Sequence, residues 1–153
     1  MVRLLRNWPK NEKRLTLELF GTSYDEFRLI FPQKQPISRF NELINDSKNK
    51  LQSALSAVAF ESSNGYRYKP GIEATAAYLF FINQSHFLFN GNKRASLYGT
   101  FGYLLLHGHF LETKWEEVYK MAEKIAEIGF QPSSLQNVIQ SAHTWILKHP
   151  ETI

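Results

Sequence analysis

Apolar side chains recur at helical spacing along most of this chain. From Ile37 onward, Phe40, Leu43, Ile44, Leu51, Leu55 and Val58 fall three, four and seven residues apart, which places them on one face of one long helix or two short ones. Between Ile72 and Gln84, Ile72, Ala76, Leu79, Phe80 and Asn83 keep the same register with little polar surface, the pattern of a buried helix. A further helix is expected from about Lys93 to His107, with Leu97, Phe101, Leu104 and Leu105 on one face and Gly108 at its end. Thr113 suits the N-cap of the next, which has Glu116 and Glu117 in its first turn, Val118, Met121, Ile125 and Ile128 as its stripe, and Gly129 as its stop. A last helix from Ser133 or Ser134 to about Lys148 would bury Leu135, Val138, Ile139, Ala142 and Ile146 before Pro150. Residues 15–19 (LTLEL) alternate with period two and fit a strand as well as a short helix.

Breakers set the boundaries. Pro9, Gly21, Pro32, Pro36, residues 62–71, the His-Gly-His turn at 107–109 and residues 129–132 divide the chain. Within 62–71, Asn64-Gly65 flanked by Tyr66, Arg67 and Tyr68 is a strong hairpin signal. The expected fold class is therefore all-α, with at least five helices and one small exposed β-hairpin.

Composition narrows this further. A chain of 153 residues with 43% hydrophobic side chains can bury one sizeable core, and its length suits a single domain. Cysteine is absent, which excludes disulfides, cysteine-ligated zinc, iron–sulfur clusters and a thiol nucleophile. No stretch has the length and apolarity of a signal peptide or a membrane span, so a soluble protein without a membrane partner is expected, compatible with the cytoplasm. The net charge of +4 resides in residues 1–14, where Arg3, Arg6, Lys10, Lys13 and Arg14 stand against Glu12 alone. A solvated basic arm explains this better than a nucleic-acid surface.

One segment interrupts the apolar pattern with a different kind of chemistry: His86-Phe87-Leu88-Phe89-Asn90-Gly91-Asn92-Lys93-Arg94. Gly91-Asn92 can adopt positive φ and expose backbone N–H groups, and a helix starting just beyond offers further free N–H groups at its positive end. Lys93 and Arg94 oppose the helix dipole, a placement that makes sense if a polyphosphate neutralises them. His86 has the ordinary titration range of a general base near neutrality. Taken singly, each element has a bland explanation: Gly-Asn ends many helices, and lone histidines and Lys-Arg pairs are usually packed or solvated. Their order and spacing favour function.

This run resembles the signature of the Fic/Doc family, His-x-Phe-x-(Asp or Glu)-Gly-Asn-(Gly or Lys)-Arg, and its Asn-Lys-Arg ending is the form seen in death-on-curing (Doc) toxins. The likeness continues through Lys50 to Leu55, the helix of residues 72–85 and Ala95 to Phe110, so about residues 50–110 match in order and character. The resemblance implies a mainly helical Fic-like domain over residues 37–150, while residues 1–36, a basic arm and extension, match nothing in the family pattern and carry no assigned role. It implies a transferase that moves a phosphate-containing group from ATP to a hydroxyl of a target protein. Doc-like phosphorylation, for Doc itself of a translation factor, is favoured over AMP transfer. Carried over by position, His86 would be the base, Gly91, Asn92, Lys93 and Arg94 would hold the triphosphate, and Asn90 would be the Mg²⁺ ligand. Asn64, Gly65, Tyr66, Arg67 and Tyr68 would form a flap that aligns target main chain. No Ser/Thr-x-x-x-Glu-Gly/Asn inhibitory motif occurs, which under the resemblance leaves inhibition to a separate antitoxin protein.

Three positions differ from the pattern. Asn90 replaces an acidic residue, Leu88 replaces a phenylalanine, and Leu97 stands where AMP-transferring members carry a second arginine, which favours the Doc form. Two other readings stay open: a Fic-like module that binds nucleotide or a partner without turnover, and, ranked last, a nucleic-acid binder using Trp8 and the Tyr66-Arg67-Tyr68-Lys69 run. His107, His109, His143 and His149 show no metal-ligand spacing.

Overall fold

The structure, a computed structural model, describes residues 13–30, 38–63, 65–111, 115–128 and 139–141. Residues 15–19 resolve in favour of helix. α1 spans Leu17–Ile30, and the Thr16 hydroxyl accepts the Leu19 N–H at 3.2 Å, a side-chain cap that a strand could not use. Phe20, Tyr24 and Phe27, spaced four and three residues apart, are fully buried along one face of α1. The core therefore crosses the boundary expected between residues 36 and 37, and the described part of the extension is integral to it.

The two-piece alternative holds for the next region. A 3₁₀ turn at Phe40–Glu42 precedes α2 at Asn45–Val58, which buries Leu51, Ala54, Leu55 and Val58. Ile44, expected on the apolar face, precedes α2 as its N-cap and is exposed. The 3₁₀ turn is fastened to α1 by the Tyr24 hydroxyl donating to Ser38 O at 2.6 Å and the Phe40 N–H donating to Asp25 Oδ1 at 3.0 Å. Gly21 is required here, because any Cβ would collide with the Phe40 ring.

The hairpin consists of β1 (Glu61–Ser62) and β2 (Gly65–Tyr66), antiparallel with Glu61 opposite Tyr66 and Ser62 opposite Gly65. Gly65, expected inside the turn, instead pairs with Ser62 and opens the return strand with φ +105°. Asn64 lies outside the described residues.

α3 (Ile72–Ser85) and α4 (Asn92–Leu106) form the centre. Every residue of α4 from Ala95 to Leu105 is buried, because α1 and α3 pack against it on different sides and α5 (Trp115–Ile128) closes over its start and the end of α3. α1 approaches so closely that a Cβ at Gly99 would collide with the Phe20 ring. Two phenols fasten the chain ahead of α1: Tyr78 OH accepts the Leu15 N–H at 2.9 Å, and Tyr103 OH donates to Lys13 O at 3.0 Å.

Beyond α4 comes β3 (His109–Leu111), paired antiparallel with β4 (Ile139–Ser141) in the register His109 to Ser141 and Leu111 to Ile139. This corrects the helix expected over residues 133–148: the one described piece of it is a strand. Leu135, Val138, Ile139 and Ala142 do carry a helical period, but the unpaired edge of β3 offers Ile139 main-chain partners that local spacing cannot reveal. The rest of that expected helix, and the proposed Thr113 cap and Gly129 stop, lie outside the described residues. Among the described residues the chain is mostly helical, and no helix is long and apolar enough to cross a membrane.

Candidate functional site

The polar segment between α3 and α4 is a short loop whose backbone is set by its own residues. His86 caps α3 in the left-handed region (φ 47°, ψ 46°), its N–H donating to Asn83 O at 3.3 Å, and it is the only non-glycine with positive φ among the described residues. This reversal drops Phe87 into the core, where it is 2% exposed and meets the Phe20 ring edge-on at 6.0 Å. Leu88 is half-buried against the same core, so the deep anchor of the loop is Phe87, one residue before the position at which the family pattern carries phenylalanine. Asn92 then locks the loop: its Nδ2 donates to Leu88 O at 2.8 Å and its Oδ1 accepts the Leu88 N–H at 3.0 Å. Phe89, between these fixed points, is 98% exposed.

Gly91 is the N-cap of α4 at φ 81° and ψ 21°, and no side chain caps the helix. The orphan amides of the first turn remain at the positive end of the dipole. They face a cleft of about 330 Å³, walled by His86, Asn90, Gly91, Asn92 and Lys93 on one side and by Tyr119 and Glu127 of α5 on the other. An imidazole, a set of N–H donors and a cation thus share one cavity, at the lower end of the volume range for small-ligand sites. Lys93 reaches across to α5, its Nζ 3.8 Å from Glu123 Oε2.

Arg94 does not share that cleft. Adjacent helical residues point in different directions, and the charge of Arg94 acts on Tyr24 and Tyr98 instead. Both phenols are pushed above the ordinary tyrosine range, first by burial, and for Tyr24 next by the Asp25 carboxylate; Arg94 opposes the rise in each. The expected phosphate set therefore divides, with Gly91, Asn92 and Lys93 at the cleft and Arg94 on the side toward α1.

The hairpin residues are also separate from the cleft walls. The Arg67 guanidinium lies over the rings of Tyr68 at 5.3 Å and Phe81 at 5.9 Å, and Tyr68 packs on Phe81 at 6.2 Å, so the base of the hairpin rests on α3 upstream of His86. Gly65 and Tyr66 are exposed in β2.

Four residues of this region carried no functional expectation from sequence. Asn83, buried at the cleft floor, donates through Nδ2 to Leu79 O at 2.7 Å and to Ser96 Oγ at 3.0 Å, and Ser96 donates to Lys93 O at 2.8 Å. An amide in an otherwise apolar stripe was its signal. Tyr119, Glu123 and Glu127 belong to α5 and had no local signal.

Among the described residues no group of three or more His, Cys, Asp or Glu side chains comes together. Several oxygen-bearing side chains line the cleft, among them the Asn90 amide and the Glu127 carboxylate, and oxygen is the donor type that Mg²⁺ takes beside phosphate and water. His107 has a structural place: its Nδ1 lies 2.8 Å from Tyr103 O and its ring packs on Tyr103 at 4.3 Å. Burial lowers its pKa below the ordinary histidine value, the Tyr103 carbonyl opposes this, and Lys13 and His109 add to the lowering. Compared with known protein families, with curated proteins and with solved structures, the chain matches none.

Proposed function

We propose that this chain is a Fic/Doc-like transferase that moves a phosphate-containing group from ATP to a hydroxyl of a target protein, with phosphorylation favoured over AMP transfer. The observation that carries the reading is that His86 and the uncapped start of α4 open into one cleft together with Lys93. In this reading the His86 imidazole takes the proton of the target hydroxyl as its oxygen attacks phosphorus. Attack on the γ-phosphorus expels ADP, and attack on the α-phosphorus expels pyrophosphate. The N–H groups of Gly91 and Asn92 and the Lys93 ammonium hold the phosphate oxygens and offset the charge that builds up on them. Mg²⁺ bound with the nucleotide would supply further neutralisation, with Asn90 and Glu127 as its protein oxygens. The Fic-like fold, a separate protein antitoxin and a translation-factor target belong to the same proposal.

A binding module without turnover is the second reading. Two observations favour it: position 90 carries an amide, and Lys93 already has a carboxylate partner in Glu123. Incubation with γ-labelled and α-labelled ATP and a bacterial lysate separates the cases. Label from the γ position on a protein means phosphorylation, and label from the α position means AMP transfer. Neither label, with ATP bound, means a binding module.

A further inference from the structure

Three asparagines border the cleft, and their amides are held very differently. The Asn83 amide is buried and spent on Leu79 O and Ser96 Oγ. The Asn92 amide closes on both main-chain groups of Leu88. Asn90 is exposed, and its side chain makes no hydrogen bond among the described residues. It is followed by Gly91, which has no Cβ to shield its nitrogen and whose N–H donates no hydrogen bond among the described residues.

We propose that Asn90 is a self-modifying position, which loses its amide by attack of its own backbone. The Gly91 nitrogen gives up its proton to solvent base and forms a bond to the Asn90 side-chain carbonyl carbon. The carbon–nitrogen bond of the amide breaks, the nitrogen leaves as ammonia, and a cyclic imide remains. Water then opens the imide at one of its two carbonyls, giving an aspartate or, through the other, an isoaspartate that lengthens the main chain by one methylene. One water is consumed and one ammonia released, and no oxidant or cofactor enters. Either product places a carboxylate at the cleft.

On the loop side the surroundings attract that charge: segment 86–94 contains no acidic residue, α4 has none in its first turn, and the helix start draws an anion one residue ahead of the N-cap, while Glu127 across the cleft and Glu123 on Lys93 oppose it. Resting on the transferase reading above, the aspartate would replace a neutral oxygen ligand of Mg²⁺ with a charged one, so the chain as translated is the weaker metal binder and its aged form the stronger.

The test is to age the full-length protein in mildly alkaline buffer beside a synthetic peptide of residues 86–94 and to follow amide-to-acid conversion by peptide mass spectrometry. Conversion at Asn90 in both, with Asn83 and Asn92 of the folded protein keeping their amides and Asn90→Gln showing none at that position, is the expected result. A peptide that converts while Asn90 in the folded protein does not would overturn the proposal. Binding of Mn²⁺, as a paramagnetic probe, with tripolyphosphate to fresh protein, aged protein and Asn90→Asp gives the second readout, expected to be severalfold tighter for the latter two. Conversion without that gain keeps the self-modification and removes Asn90 from the metal, which is a failure of its proposed metal role in the transferase reading alone.

Discussion

Ser23 of α1 is built into the main-chain ladder of α4: its hydroxyl donates to Tyr98 O at 2.6 Å and accepts the Gly102 N–H at 2.8 Å. These are the two groups that an uninterrupted α-helix would join directly. Because Ser23 and Gly102 are both buried, neither main-chain group can turn to water instead. Ser23→Ala is expected to cost about 1–3 kcal/mol, the penalty for stranding a buried polar group, and Gly99→Ala a similar amount through the clash with Phe20. Urea unfolding measures both; a loss below about 0.5 kcal/mol for Ser23→Ala would mean that the ladder simply recloses.

On the proposed mechanism, substitutions at His86 would separate activity from stability. It holds a left-handed conformation that costs an L-residue about 1 kcal/mol and glycine nothing. His86→Gly should therefore abolish transfer while unfolding at the same or a higher temperature, and His86→Ala should abolish transfer with little change. Residual transfer in either variant would take His86 out of the mechanism.

If the proposed transfer reaction holds, Asn90→Asp shifts its Mg²⁺ dependence. A unit charge about 4 Å from a divalent ion is worth roughly 8 kcal/mol at an effective dielectric of 20, before the discount for retained water. A small fraction of that exceeds the 1.36 kcal/mol that changes a rate about tenfold. Half-maximal Mg²⁺ should fall by about tenfold or more, and coincident curves for the two forms would place position 90 away from the metal.

His107 makes the fold sensitive to acid. Its folded pKa lies below the ordinary value of about 6.5, so between the two values the unfolded chain binds more protons than the folded one. Its contribution to stability is complete above about pH 6.5 and is lost as pH falls toward the lowered value. His107→Phe, which keeps a ring on Tyr103 but cannot titrate, should flatten the decline of melting temperature between about pH 7 and 5. Parallel declines for the two proteins would assign the acid sensitivity elsewhere.

The helices built on long, regular stripes were readable from the sequence, and the tertiary choices were not. Leu51, Leu55 and Val58 repeat over enough turns to identify α2, and the apolar monotony of Ile72–Ser85 identifies α3. Residues 15–19 were too few to separate two periods, and the deciding contact was the Thr16 cap. Ile139 went to a strand because of a partner, β3, that lies about thirty residues away. At the cleft, the loop side was legible because glycine, amides and cations interrupt two apolar helices. The α5 side was not, since Glu123 and Glu127 look like any solvated face until α5 is seen to close over the loop.

The Lys93–Glu123 pair gives the cleft a counterion of its own. Both side chains are about one third exposed, so as a source of stability the pair counts for little. Its weight falls on how the cleft responds to ionic strength. An isolated lysine would release a mobile anion when a polyphosphate arrives, and added salt would oppose binding in proportion. Lys93 has a covalently attached carboxylate to release instead, and salt weakens that internal bond at the same time as it weakens the new one. Polyphosphate binding should accordingly depend less steeply on salt than the charges of the cleft suggest. Glu123→Gln should bind more tightly at low salt and lose that advantage as salt is raised, so the two proteins converge in concentrated electrolyte.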